Sequence, residues 1–102
     1  MDIAWIRAQV APGDYEYSVH AEAERQAERP RVQDVENALL NGDVLEDYPH
    51  DPRGPSCLVL GFSGRKPVHI VCGHTSLGKL RVITVYIPRT PKWSDPRTRR
   101  KA

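Results

Sequence analysis

Three apolar runs in the second half of the chain constrain the fold more than anything else. They are Cys57-Leu58-Val59-Leu60-Gly61-Phe62, Val68-His69-Ile70-Val71-Cys72 and Leu80-Arg81-Val82-Ile83-Thr84-Val85-Tyr86-Ile87. Each is rich in β-branched or apolar residues and too short for a core helix. Gly, Ser, Lys or Pro separates each from the next, which predicts a meander of antiparallel strands over Ser56–Pro88. Gly61-Phe62-Ser63-Gly64-Arg65-Lys66 reads as a hairpin turn. It lacks the Gly-Lys-Ser/Thr ending of a phosphate loop and leads into a strand, not a helix.

A meander needs a cover, and the preceding residues supply helices. Asp2 caps a short helix in which Ile3, Ile6 and Val10 recur at helical spacing. Tyr15-Glu16-Tyr17 predicts a brief extended segment. Ser18 is an N-cap for a helix running through Arg29, with Val19, Ala23 and Ala27 as its expected buried stripe. Pro30 stops it, and Val32, Val35, Ala38 and Leu39 mark a second helix that closes at Asn41-Gly42. Asp43–Tyr48 is a candidate edge strand, and the proline-rich residues 49–55 a connector. The expected architecture is α+β, with N-terminal helices packed on one face of a small antiparallel sheet. One domain spans residues 1–93, Trp93 pins the chain end to the body, and residues 94–102 form a basic, mobile tail.

The net charge of +2 conceals an asymmetry. Residues 1–51 carry twelve acidic and four basic residues, whereas residues 52–102 carry one acidic and eleven basic. Two readings follow: a basic sheet surface that attracts phosphate backbones, or two halves that neutralise each other on folding. No apolar run reaches the length of a membrane span, and the N-terminus lacks the pattern of a secretory signal. Cys57 and Cys72 sit in predicted strands without metal or redox spacing, and the four histidines are not paired at ligand spacing. The expectation is a cytoplasmic protein with reduced cysteines, no metal and no cofactor.

Strand alternation places His69 with Val71 on one face of its strand, opposite Val68, Ile70 and Cys72. If Ile70 and Ile83 share the helix-covered side, then His69, Thr84 and Tyr86 share the open side. An imidazole, a hydroxyl and a phenol together can donate and accept protons. The competing reading is that His69 bonds a backbone group beneath a loop while Tyr86 packs. His20 lies near a helix N-terminus, where an anion is favoured; the competing reading is a histidine hydrogen-bonded at the edge of the helix–sheet interface. Arg25 and Arg29 share a helix face remote from the alanine stripe, and Arg25 lies about 140° round from His20.

The succession Tyr17-Ser18-Val19-His20-Ala21, Arg25, Glu28-Arg29, Asp34–Leu39, Asp47-Tyr48-Pro49, Ser56–Gly61, Arg65–Val71, Ile83–Pro88 and Trp93 resembles the domain of unknown function 4258 family, over residues 15–93. The resemblance implies a helical hairpin on an antiparallel sheet, similar to the RelE/barnase-type fold of toxin ribonucleases. It further implies RNA as substrate and a cognate antitoxin as partner. It carries the family's helix motif onto His20, Arg25 and Arg29, its strand histidine onto His69, and its Thr-x-Tyr ending onto Thr84 and Tyr86. Pro30-Arg31-Val32 departs from the family's usual glycine and aliphatic turn at that point.

The resulting expectation is a metal-independent endoribonuclease acting on single-stranded RNA. His20 and His69 would be the acid and base, Arg25 and Arg29 the phosphate cations, and Thr84 and Tyr86 the orienting groups. Arg65, Lys66, Arg81, Arg97, Arg99 and Arg100 would hold the RNA backbone. Two alternatives come from other classes: a non-catalytic module that binds nucleic acid or protein, and an interaction protein forming a homodimer through its open sheet edge.

Overall fold

A computed structural model describes residues 1–100. The order of elements is α1 (Ile3–Val10), β1 (Tyr15–Tyr17), α2 (Val19–Glu28), α3 (Val32–Asn41), β2 (Asp43–Tyr48), β3 (Ser56–Ser63), β4 (Lys66–His74), β5 (Leu80–Tyr86), β6 (Trp93–Asp95) and β7 (Thr98–Arg99). It is an α+β fold, with the N-terminal helices packed on a five-stranded sheet of order β1-β5-β4-β3-β2. Among the described residues no helix is long and apolar enough to cross a membrane.

Caps start the helices where the sequence places them. Asp2 accepts a bond from the Ala4 amide, and Ser18 one from the Ala21 amide. The meander also forms as patterned, but the sheet is mixed and not antiparallel throughout. β1 joins β5 in parallel, pairing Tyr15 with Leu80 and Tyr17 with Val82. A three-residue strand can pair either way; here the direction follows because the chain passes straight from β1 into α2.

One face of the sheet carries Cys57, Val59, Val68, Ile70, Cys72, Leu80, Val82 and Val85. All are buried against Ile6 and Val10 of α1 and Val35, Ala38 and Leu39 of α3. Helix α3 lies so close that a Cβ on Gly61 would stand 1.8 Å from the Ala38 carbonyl oxygen, so only glycine fits there. Cys57 and Cys72 face each other across β3 and β4 as free, buried thiols.

Two sequence expectations fail at α2. Val19, Ala23 and Ala27 are exposed, and Ala21 is the residue that enters the core. The helix runs along the β5 edge where β1 has ended, with Ala21 reaching the core. The Ser18 amide donates to the Val82 carbonyl at 2.9 Å, and the Ser18 hydroxyl donates to the Ile83 carbonyl at 3.1 Å. Nearly two turns further on, Glu24 accepts the Val85 amide at 3.2 Å. Helix α2 thus satisfies an otherwise bare strand edge through its polar side chains.

A bulge corrects the alternation expected for β5. Val71 pairs with Thr84, yet Cys72 pairs with Val82, so Ile83 is the extra residue. Leu80 and Val82 therefore face the helices with Val85, while Arg81, Thr84 and Tyr86 face the other side. The juxtaposition of His69, Thr84 and Tyr86 survives because all three lie on the same side of the bulge.

The C-terminal residues differ most from expectation. Residues 93–99 form a second, two-stranded sheet in place of a mobile tail from residue 94. Asp95-Pro96-Arg97-Thr98 supplies its turn, with the Asp95 carboxylate accepting the Arg97 amide at 2.8 Å. This β6–β7 hairpin covers part of the face opposite the helices. Lys101 and Ala102, the end of the expected tail, lie outside the described residues.

Candidate functional site: a cleft between helix α2 and the C-terminal hairpin

Sheet register arranges the second face in rows. Leu60, His69 and Tyr86 form one row; Glu46, Leu58, Val71 and Thr84 the next; Ser56, Gly73, Arg81 and Glu16 a third. The hairpin covers the first row and leaves the third uncovered. His69 is completely buried, with the Trp93 ring edge-on at 4.4 Å between centroids and the Tyr86 ring at 5.0 Å.

Both His69 nitrogens have partners. Nε2 lies 2.7 Å from the Pro96 carbonyl oxygen, and Nδ1 lies 3.0 Å from the Tyr86 hydroxyl. A carbonyl only accepts, so Nε2 carries the proton. Burial lowers the His69 pKa and keeps the ring neutral, against smaller opposing contributions from Pro96 and Glu46. Nδ1 is then a bare acceptor, and the Tyr86 hydroxyl donates to it. The tautomer is fixed by the hairpin, through Pro96.

Two arginines tie that hairpin to β2. Arg99 reaches both Glu46 oxygens, at 2.7 and 3.2 Å, and lies over the Trp93 ring. Arg97 pairs with Asp43 at 3.1 Å. Glu46 also accepts from the Tyr48 hydroxyl. The Trp93 indole N–H is buried without a partner.

Beside Tyr86 the hairpin and α2 enclose a cleft of about 420 Å³. Thr84, Tyr86 and Ile87 line it from β5, Glu24 and Glu28 from α2, and Arg89, Lys92 and Trp93 from the C-terminal segment. His20, Glu24 and Glu28 recur at four-residue spacing along one stripe of α2. His20 Nε2 lies 3.2 Å from Glu24, and Glu28 pairs with Arg89 at 2.7 Å. The exposed His20 imidazole is thus tied to the cleft through Glu24.

The structure brings together only part of the expected site. His69, Tyr86 and Thr84 meet as the alternation suggests, but His69 lies beneath a loop with its nitrogens engaged, the competing reading. His20 stands apart from it on the helix surface. Arg25 turns to the helix-covered side, where it binds Glu22 at 2.5 Å and the Pro30 carbonyl at 3.0 Å. That hydrogen-bonded ion pair holds the Glu22 carboxyl down at about 2 and makes Arg25 a tie between α2 and the following turn. Arg29 is the left-handed C-cap of α2, exposed and outside the cleft.

The expected basic surface is also smaller than charge counting suggests. Lys79, Arg81, Arg89, Arg97 and Arg99 pair with Asp14, Glu16, Glu28, Asp43 and Glu46. The halves neutralise each other along these contacts. Arg65 and Lys66 occupy the exposed β3–β4 turn, and Arg100 is exposed beyond β7. Among the described residues these three, with Arg29 and Lys92, form no ion pair.

Sequence reasoning missed Glu24, Glu28, Arg89 and Lys92, which meet only once α2 docks beside β5 and the chain returns after Pro88. The four-residue spacing of His20, Glu24 and Glu28 was the available signal. Among the described residues no group of three His, Cys, Asp or Glu side chains is arranged to hold a metal ion.

A family model described as "Domain of unknown function (DUF4258)" matches residues 17–87. The chain belongs to that family. No curated protein and no solved structure matches it. The matched segment carries the meander, α2 and α3, and the His69–Tyr86 pair, but ends before the hairpin that covers them.

Proposed function

We propose that this family member is a metal-independent ribonuclease that cleaves single-stranded RNA in the cleft between α2 and the C-terminal hairpin. The observation that carries the reading is the Tyr86–His69 pair: a phenol lining the cleft, hydrogen-bonded at 3.0 Å to a buried neutral imidazole. Cleavage through a ribose 2′-hydroxyl needs a base, an acid and cations at phosphorus. The 2′-hydroxyl proton passes to the Tyr86 oxygen as the Tyr86 proton passes to His69 Nδ1. The 2′-oxygen then attacks phosphorus, a 2′,3′-cyclic phosphate forms, and the bond to the 5′-oxygen breaks.

The acid for the departing 5′-oxygen is the His20 imidazole, oriented by Glu24. Charge on phosphorus is met by Lys92 and Arg89, in place of the Arg25 and Arg29 expected from sequence. Arg65, Lys66 and Arg29 extend a cationic approach for the backbone. His69 returns to neutrality by releasing its proton through Tyr86 to solvent, from which His20 regains the one it gave, and the Pro96 carbonyl supports the transient charge on His69. A cytoplasmic toxin with a cognate antitoxin is the setting this reading carries with it; the free thiols of Cys57 and Cys72 accord with a reducing compartment.

The test is incubation of the protein with end-labelled single-stranded RNA in EDTA. Cyclic-phosphate products are expected from RNA, and none from a strand with 2′-deoxy residues. Cleavage of the deoxy strand, or loss of cleavage in EDTA, contradicts the mechanism. Binding without any product favours the second reading, a non-catalytic RNA-binding module. That reading draws on the complete burial of His69, which suits a pin for the hairpin as well as a base.

A further inference from the structure

The uncovered third row of the second face holds a separate cavity of about 200 Å³, at the opposite end of β5 from Lys92. Its floor is Gly73 and Ile83, and both glycine and bulge are needed to make it. A Cβ on Gly73 would come within 2.7 Å of Ile83 Cδ1. The extra residue in β5 sets Ile83 over that bare backbone. The result is a flat apolar floor, walled by Ser18 at the start of α2 and by Ser56.

Two guanidinium groups line the rim. Arg81, directly opposite Gly73 in the register, is held by Glu16 at 2.6 Å. Arg53, 85 % exposed at its side chain, sits in the loop above and lies 3.5 Å from Asp51, which also accepts from Ser56. Each arginine retains N–H groups not used by its carboxylate, and Glu16 holds Arg81 in place while the exposed Arg53 stays free to turn toward a ligand. An apolar floor with a few fixed donors and acceptors suits a planar heterocycle carrying an anionic substituent.

This cavity and the Tyr86 cleft share a face, a strand and a wall. Thr84 and Ile83 connect them along β5, and α2 borders both, through Ser18 at one end and Glu24 and Glu28 at the other. Gly73 and His69 are four residues apart on β4, so the two sites are separated by about 13 Å. We propose that the Gly73–Ile83 cavity is a second nucleotide subsite, which takes a base on its floor and the adjoining phosphate on Arg53 and Arg81. An extended single strand then occupies both cavities at once. The inference rests on the RNA reading of the Tyr86 cleft and assigns a second contact to the same substrate.

The experiment measures binding of a fluorescent 2′-O-methyl tetranucleotide, which cannot be cleaved, over a range of salt concentrations. R53A/R81A is expected to bind about tenfold more weakly than the parent. The slope of log affinity against log salt should shrink by about 0.7, the contribution of the one single-strand phosphate held there. Cleavage of a dinucleotide, which only the Tyr86 cleft can carry out, should not change. The exposed single variant R53E carries the test if the double variant melts early. Unchanged tetranucleotide affinity and slope in these variants overturn the subsite while leaving the cleft reading intact. Failure of the parent to bind the tetranucleotide overturns both.

Discussion

The two faces of the central sheet are built on different principles. The helix face is apolar and closed by main-chain proximity: α3 rests on Gly61, and Ile6, Leu39, Ile70 and Val82 fill the space between. The opposite face is closed in part by the C-terminal hairpin of residues 93–99, through one aromatic ring and several polar contacts. Its hairpin is held by one buried indole, two surface arginines and a carbonyl on His69. The first face has no way to open without unfolding. The second is expected to release its cover while the sheet persists, because most of the apolar core lies on the helix side. Chemistry that needs access to His69 and Tyr86 belongs on the second.

The contrast is broken most severely at Gly61. Gly61→Ala forces a Cβ into the Ala38 backbone, which cannot rotate away. A loss of about 3 kcal/mol or more is expected, read as a collapse of the denaturant midpoint with all probes together. Trp93→Ala should cost about 2–3 kcal/mol, below a fully buried core tryptophan because the hairpin can detach. Its signature is local: the His69 ring becomes reactive to an imidazole-modifying reagent while far-ultraviolet circular dichroism is retained. If Trp93→Ala unfolds the whole chain as Gly61→Ala does, the two faces are not separable.

Acid should weaken the second face first. The folded pKa of His69 lies below its unfolded value of about 6.5, so the unfolded chain takes up a proton that the folded chain refuses. Stability attributable to this group is intact above about pH 6.5. It falls as pH drops through that value, by up to about 1.4 kcal/mol per pH unit, until the folded pKa is reached. His69→Gln should flatten that part of the stability profile. A profile that is already flat between pH 5 and 6.5 in the parent contradicts the buried neutral ring. The smallest effect is expected for Arg97→Ala. Its pair with Asp43 is more than half exposed on both sides, so less than about 1 kcal/mol should be lost, and less still in high salt.

Much of the helix face was legible in the sequence because local signals suffice for it. Asp2 and Ser18 cap where their side chains predict, Asn41-Gly42 ends α3, and the alternation in β4 places Ile70 and Cys72 inward. The second face depends on events with no local signature. A one-residue bulge at Ile83 exchanges the two faces of β5 between Val82 and Thr84, and periodicity alone reads straight through it. The parallel pairing of β1 follows from where α2 goes, not from Tyr15-Glu16-Tyr17. Helix α2 reads as a stripe of Val19, Ala23 and Ala27 because small apolar residues suggest a buried side. Docking beside a strand edge rewards hydrogen-bonding groups instead, so Glu24 faces inward to the Val85 amide. Asp95-Pro96 was a readable turn signal, obscured by the basic residues that follow.

The central claim is that Tyr86 and His69 act as one proton-accepting unit at the cleft. Single-turnover cleavage of labelled single-stranded RNA by Tyr86→Phe, compared with the parent in EDTA, tests it most directly. The substitution removes one oxygen and leaves the ring against His69 but strands the buried Nδ1, so a loss of about 1 kcal/mol is expected and rates are compared where both proteins are folded. The account predicts a rate lower by about a hundredfold or more, the range expected for a lost general base. Cleavage by folded Tyr86→Phe at the parental rate contradicts it.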